Sequence, residues 1–216
     1  MKASQFFLAG TLLPTAFAAT ITLHNTGVNS SDVLVASGAQ ASFWSLSAEP
    51  SGASEAIGSL PFRFRAGSYF ADTASAAWVS PNANGNAGAG GFYTYDLVFN
   101  LAGLNPATAS ISGTFGTDND GSISLNSNAP VATQTFAGFG TPTAFAFTSG
   151  FVAGPNTIHV KVDNGGDPTA FFVQLSGTAS VIDGTVPEPG TVALTCVGLL
   201  GLLLVRRRSK VFTGST

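Results

Sequence analysis

Phe92-Tyr93-Thr94-Tyr95-Asp96-Leu97-Val98-Phe99-Asn100-Leu101 is the stretch on which the fold turns. Its odd positions, Tyr93, Tyr95, Leu97, Phe99 and Leu101, are all aromatic or aliphatic. A period of two belongs to a strand with one face in a core, whereas a helix repeats every 3.6 residues. The same period returns in residues 107–115, where Ala107, Ala109, Ile111 and Phe115 alternate with Thr108, Ser110, Ser112 and Thr114. In residues 157–163, Ile158, Val160 and Val162 alternate with Thr157, His159, Lys161 and Asp163, and Phe171, Val173 and Leu175 continue the series. Strict alternation predicts half-buried antiparallel strands.

Working outward, shorter strands are expected at 20–24, 43–46, 62–64, 77–80, 122–125 and 144–148. Turn signals separate them: Asn105-Pro106, residues 118–121, Gly154-Pro155-Asn156 and residues 164–168. Many short strands without an amphipathic helix predict an all-β fold, an antiparallel β-sandwich of jelly-roll type. Residues 82–91 contain only Asn, Ala and Gly, which predicts a mobile surface loop with nothing to anchor it in a core. No internal repeat interrupts the series.

Both ends of the 216-residue chain read as addresses. Lys2, the apolar run 6–13, Pro14 and the small-x-small triplet Ala16-Phe17-Ala18 follow the order of a secretory signal peptide. Signal peptidase is expected to cut after Ala18, with Ala19 as the second choice, so residues 1–18 are the leader and 19–183 the exported domain. At the other end, Val186-Pro187-Glu188-Pro189 precedes residues 190–205, which carry no charge, and then Arg206-Arg207-Arg208-Ser209-Lys210. Sixteen helical residues span about 24 Å at ~1.5 Å each, slightly short of a hydrocarbon core. Arginine snorkelling and local thinning make up the difference, so 190–205 is expected to be a transmembrane helix. Arg206, Arg207, Arg208 and Lys210 form its cytoplasmic basic anchor by the positive-inside rule, with the domain outside.

The order of these features over residues 186–210 closely resembles the PEP-CTERM sorting signal. That signal belongs to exported proteins of Gram-negative bacteria that make extracellular polysaccharide. The resemblance implies a substrate of exosortase, a membrane cysteine transpeptidase, with processing near Pro187-Glu188-Pro189 and a destination at the cell surface or in the extracellular matrix. The sorting signal is taken as 184–210, and residues 211–216 extend beyond the usual stop.

A second resemblance spans roughly residues 43–179. Trp78-Val79-Ser80-Pro81, Tyr93-Thr94-Tyr95, Ala109-Ser110-Ile111-Ser112-Gly113, Asp118-Asn119-Asp120, Gly154-Pro155-Asn156-Thr157-Ile158 and Val160-Lys161-Val162-Asp163-Asn164 occur in that order. The arrangement looks like the galactose-binding-like jelly rolls that serve as carbohydrate-binding accessory modules. It implies the fold, and polysaccharide as a partner of the exported domain.

Charge distribution narrows the function further. Charged residues are 9% of the chain, against roughly 25% in ordinary soluble proteins. Residues 19–183 hold three basic and ten acidic side chains, a formal charge of −7. Arg63, Arg65 and Lys161 are the only bases in that span, too few for the stripe that nucleic-acid binding requires. An acidic surface repels anionic polysaccharide, so neutral glycans are the better expectation. One cysteine, Cys196, excludes a disulfide framework and a thiolate metal site within the chain.

No catalytic role is expected. The chain has no G-x-S-x-G elbow, no H-E-x-x-H, no P-loop and no dinucleotide fingerprint. Of its two histidines, His159 falls on the polar side of its strand, and Glu49 and Glu55 lie in a Gly/Ser/Ala-rich loop. A glycan-active enzyme whose acids meet only in the fold is the alternative, and a purely structural matrix component is another. No cofactor is expected, although Asp118 and Asp120 in Asp118-Asn119-Asp120-Gly121 offer hard oxygens to a structural calcium; the competing reading is a β-turn. For a glycan, the aromatic platform candidates are Trp78, Tyr69 and Trp44; Trp78, before a proline and the glycine loop, is the first choice, with core packing as its alternative.

Overall fold

The computed structural model describes residues 17–136 and 138–182. Residues 1–16 of the expected leader, the sorting signal and the apolar 190–205 segment lie outside the described residues, whereas Phe17 and Ala18, the last two residues of the expected leader, are described. Among the described residues no helix is long and apolar enough to cross a membrane. The chain divides into one unit ending at Val181 and a second, Ile182–Thr216.

Eleven strands are described: β1 (Ala18–Thr20), β2 (Trp44–Ala48), β3 (Phe62–Arg63), β4 (Val79–Ser80), β5 (Gly91–Asn100), β6 (Ser110–Asp118), β7 (Gly121–Leu125), β8 (Ala132–Gln134), β9 (Thr143–Phe147), β10 (Pro155–Asn164) and β11 (Ala170–Ser180). They form two antiparallel sheets. The first runs β3-β4-β11-β6-β9, with β1 also pairing to β11, and the second runs β2-β5-β10-β7-β8. The predicted all-β sandwich is therefore present.

Its core is the set of inward positions that the alternation marked. Tyr93, Tyr95, Leu97 and Phe99 from β5 and Ile158, Val160 and Val162 from β10 meet Ile111 and Phe115 from β6 and Phe171, Val173 and Leu175 from β11. Tyr95 stacks on Phe171 with ring centroids 4.3 Å apart, joining the middle of the two sheets. Burial of so many large apolar side chains, each contributing roughly 1.5–3 kcal/mol, is what holds the sheets face to face.

Four local expectations are corrected. Residues 106–108 form a 3-10 turn, not the start of β6, because the Asn105 side chain accepts from the Ala107 amide at 3.0 Å and Pro106 presets the turn. β1 ends at Thr20; beyond it the chain follows β11 irregularly, with the Ile21 amide donating to the Gly177 carbonyl and the Thr26 amide to Val173. β8 was not foreseen, since three residues carry no readable period. Residues 82–91 do have an anchor: Ala87 is fully buried. The Ala87 amide donates to Asp167 Oδ1 at 2.9 Å and the Ala89 carbonyl accepts from the Tyr93 hydroxyl at 2.8 Å. A segment without large side chains is held here through its backbone, which composition does not reveal.

The two ends of the described chain lie together. Ala18 pairs with Ser180 in the β1–β11 ladder, and the Val181 amide donates to the Phe17 carbonyl at 3.1 Å.

Candidate functional site

The rings expected to form a platform are inside the protein. Trp44 is 1% exposed; its indole donates to the His24 carbonyl at 3.0 Å and its edge meets Phe171. Trp78 is fully buried and Tyr69 nearly so. Both belong to a second apolar cluster with Ala76, Ala170 and Phe172, flanked by Phe64, Phe70 and Phe139. The cluster exists because Phe172 points away from the main core, to the outer side of the first sheet, and residues 64–78 between β3 and β4 fold over it. Gly116 stands opposite Phe172 in the β6–β11 register. A Cβ there would lie 2.6 Å from Phe70 Cε1 and 2.7 Å from Trp78 Cη2, so the packing requires glycine. The indole of Trp78 donates to the Phe70 carbonyl at 3.0 Å.

Asp118 and Asp120, the candidates for a structural calcium, stand in different surroundings. Asp118 is 6% exposed; its Oδ2 accepts from the Tyr69 hydroxyl at 2.6 Å and its Oδ1 from the Asn119 amide group at 2.9 Å. Both carboxylate oxygens are thus engaged by protein donors. Burial pushes the Asp118 carboxyl above the ordinary carboxylate range, while the Tyr69 hydrogen bond acts in the other direction. Burial, and then Asp118, push the Tyr69 hydroxyl far above its usual value, so it remains a donor. Asp120 instead borders a cavity on the second sheet. Among the described residues no group of three or more His, Cys, Asp or Glu side chains is placed to hold a metal ion.

An open polar surface lies on the outer side of the second sheet. There the residues between the buried ones on β5 and β10 line up in rows across the strands. One row is Ser45, Asp96, His159 and Ser124, from β2, β5, β10 and β7. The next is Thr94, Lys161, Ser122 and Thr133, from β5, β10, β7 and β8. His159 Nδ1 and Asp96 Oδ1 are 2.6 Å apart, which ties the centre of the first row. At the end of the face Phe92 is 52% exposed, with Lys161 Nζ 3.8 Å from its ring centroid. Phe92, Asp120, Ser122, Thr133 and Lys161 border a shallow cavity of about 250 Å³.

This surface combines a half-exposed ring with hydroxyl, carboxylate, imidazole and ammonium groups at strand spacing. It can offer hydrogen bonds over an extended patch and an apolar contact at one end. The alternation on which the fold turned already separates Phe92 from Tyr93, by parity, and could have placed it on this face. Trp78 and Tyr69 carried no comparable signal, since they precede and follow irregular chain.

No curated protein matches the chain in sequence. Among solved structures, it is similar to an apo form cyclase from Fischerella sp. at 14% identity and a TM-score of 0.46, covering 75% of this chain and 96% of that one. It is also similar to a family 29 carbohydrate-binding module complexed with mannohexaose, at 12% identity and a TM-score of 0.34, covering 77% and 93%. An isomalto-dextranase of Arthrobacter globiformis complexed with panose is similar at 12% identity and a TM-score of 0.32, covering 66% of this chain and 22% of that one. Residues 185–208 of the chain match the PEP-CTERM protein-sorting motif.

Proposed function

We propose that the protein is exported, sorted by an exosortase through its C-terminal motif, and delivered to the cell surface or extracellular matrix as a non-catalytic β-sandwich that contacts polysaccharide. The match of residues 185–208 to the sorting motif carries this reading. Signal peptidase removes the leader after Ala18, residues 190–205 hold the product in the membrane, and processing falls near Pro187-Glu188-Pro189. The test replaces Pro187, Glu188 and Pro189 together by alanine in the native host. Processing should stop and the unprocessed chain should stay in the membrane fraction; processing at the normal rate would remove the motif from the account.

Polysaccharide contact is assigned to the outer face of the second sheet, supported by its rows of hydroxyls and by the half-exposed Phe92. Asp96, Asp120 and Asp163 outnumber Lys161 on the strands and turn that build this face, so neutral glycans fit its charge better than anionic ones. A glycan array probed with the full chain in detergent should show neutral polysaccharides retained. Retention of none would leave a sorted protein without this ligand.

A further inference from the structure

Between Asp96 and His159 the sequence holds only two ionisable side chains, Asp118 and Asp120. This stretch supplies β6, β7, β8 and β9, so these four strands and the chain between them carry no other charge. β8 and β9 end their respective sheets and lie beside each other. β9 pairs with β6 along Thr143–Phe147, and among the described residues no other strand pairs with it. Its second edge therefore presents unpaired backbone donors and acceptors. Phe145 and Phe147 are buried, whereas Ala144 and Ala146 face outward and are exposed.

Natural sheets ordinarily blunt such an edge with a charge, a proline or a bulge within the strand. Thr-Ala-Phe-Ala-Phe has none of these; Pro142 stands just before it. Nearby, Val131 and Phe136, on either side of β8, are 48% and 67% exposed. A bare edge, small outward side chains and apolar flanks coincide where charge is missing.

We propose that β9 pairs antiparallel with β9 of a second copy, about a twofold axis near Phe145, joining the first sheets of two molecules into one. The occupant follows from charge. Two exported domains of formal charge −7 repel wherever their acidic surfaces face each other, and this uncharged edge is where they meet without that repulsion. A basic partner, by contrast, has nothing here to pair with. The strand is also compatible with itself: centred on Phe145, the antiparallel register sets Ala144 against the second copy's Ala146, with no bulky outward group to separate the backbones. Such a contact is isologous and closes at two copies. It is independent of sorting and of glycan contact.

Sedimentation of the full chain in detergent, over a concentration series, tests the pairing. The unaltered chain should be a dimer. Ala144→Lys with Ala146→Lys puts charges on outward positions and should weaken association by roughly tenfold or more. Ser176→Lys, outward on β11 away from the edge, should leave it unchanged. A monomeric unaltered chain overturns the proposal. So does a folded lysine variant that dimerises as before, which would move association elsewhere, for example to residues 190–205. Should the lysine variant fail to fold, Ala144→Cys with Ala146→Cys in a Cys196→Ser background decides: mild oxidation should give a disulfide-linked dimer, and its absence counts against the pairing.

Discussion

Phe172 and Asp96 occupy equivalent places in the two sheets, each on the outward side of an interior strand, yet one is 1% exposed and the other meets solvent. Over the first sheet, residues 64–78 fold back and cover Phe172 with Phe70 and Trp78, at ring-centroid distances of 5.0 and 6.0 Å. Over the second sheet no comparable segment crosses among the described residues, and the rows at its centre stay polar (Asp96, His159, Thr94 and Lys161), with Phe92 and Val98 as exposed apolar neighbours on the same side of β5. The same strand geometry thus yields a covered patch on one outer side and an open, wet one on the other. What differs is the chain between neighbouring strands, a long aromatic connection in one case and hydrophilic outward positions in the other. The roof covers only part of the first sheet; beyond it Asn25, Ser75, Ser112, Thr114, Gln174 and Ser176 line an open groove of about 480 Å³.

The largest effect expected from this contrast is at Trp78. Trp78→Ala removes a fully buried indole, its contacts with Tyr69, Phe70 and Phe172, and a hydrogen bond to the Phe70 carbonyl. Deleting a buried tryptophan costs about 3–5 kcal/mol, since the cavity closes only partly. Urea unfolding should register that loss. If Trp78 were instead a solvent-facing platform, the change would fall within roughly 0.5 kcal/mol, and the roofed description of the first sheet would be wrong.

The contrast also explains what sequence alone could and could not say. Alternation located β5, β6, β10 and β11 and sorted their side chains into two faces, because period two is a local property of the backbone. It could not say which outward face is covered, because that depends on where residues 64–78 come to rest. Nothing in the alternation marks Phe172 as covered, and Trp78 and Tyr69 remained platform candidates. Asp118 shows the same gap: its turn was legible, while its bond to Tyr69 joins residues 49 positions apart. Phe92 was legible in principle, since its parity places it with Thr94 and Asp96. Its exposure depends on where the rest of the chain comes to rest, and among the described residues no segment covers it.

A smaller and pH-dependent effect is expected at Asp118, under the edge of the roof. Burial raises this carboxyl above its ordinary value of 3.8 in the folded state. As pH rises through that value the unfolded chain releases its proton first, while the folded chain retains it to higher pH. The native state binds more protons in that interval, so this group's contribution to stability falls with rising pH and levels off once both states are ionised. Asp118→Asn removes the ionisation but keeps an oxygen for the Tyr69 hydroxyl. Relative to the unaltered chain, the variant should gain stability as pH rises above the ordinary carboxylate value, and the gain should level off once Asp118 is ionised in the folded chain too. A difference that stays flat over that rise would mean that Asp118 is solvated like an ordinary surface acid.

The smallest effect on stability belongs to the unroofed sheet. Phe92→Ala removes a ring that is already 52% exposed and a contact with Lys161 Nζ at 3.8 Å. A cation over an exposed ring is worth roughly 0.5–1 kcal/mol, and little buried surface is lost with it. The unfolding midpoint should therefore shift far less than for Trp78→Ala. Retention of a neutral polysaccharide should respond in the opposite order of sensitivity, because Phe92 is the apolar contact at the end of the polar rows. Affinity electrophoresis of the folded variant separates the two roles: weaker retention at nearly unchanged stability assigns the ring to the ligand face. Unchanged retention would leave the hydroxyl rows alone to bind glycan, and a large loss of stability would mean that the second sheet is covered after all.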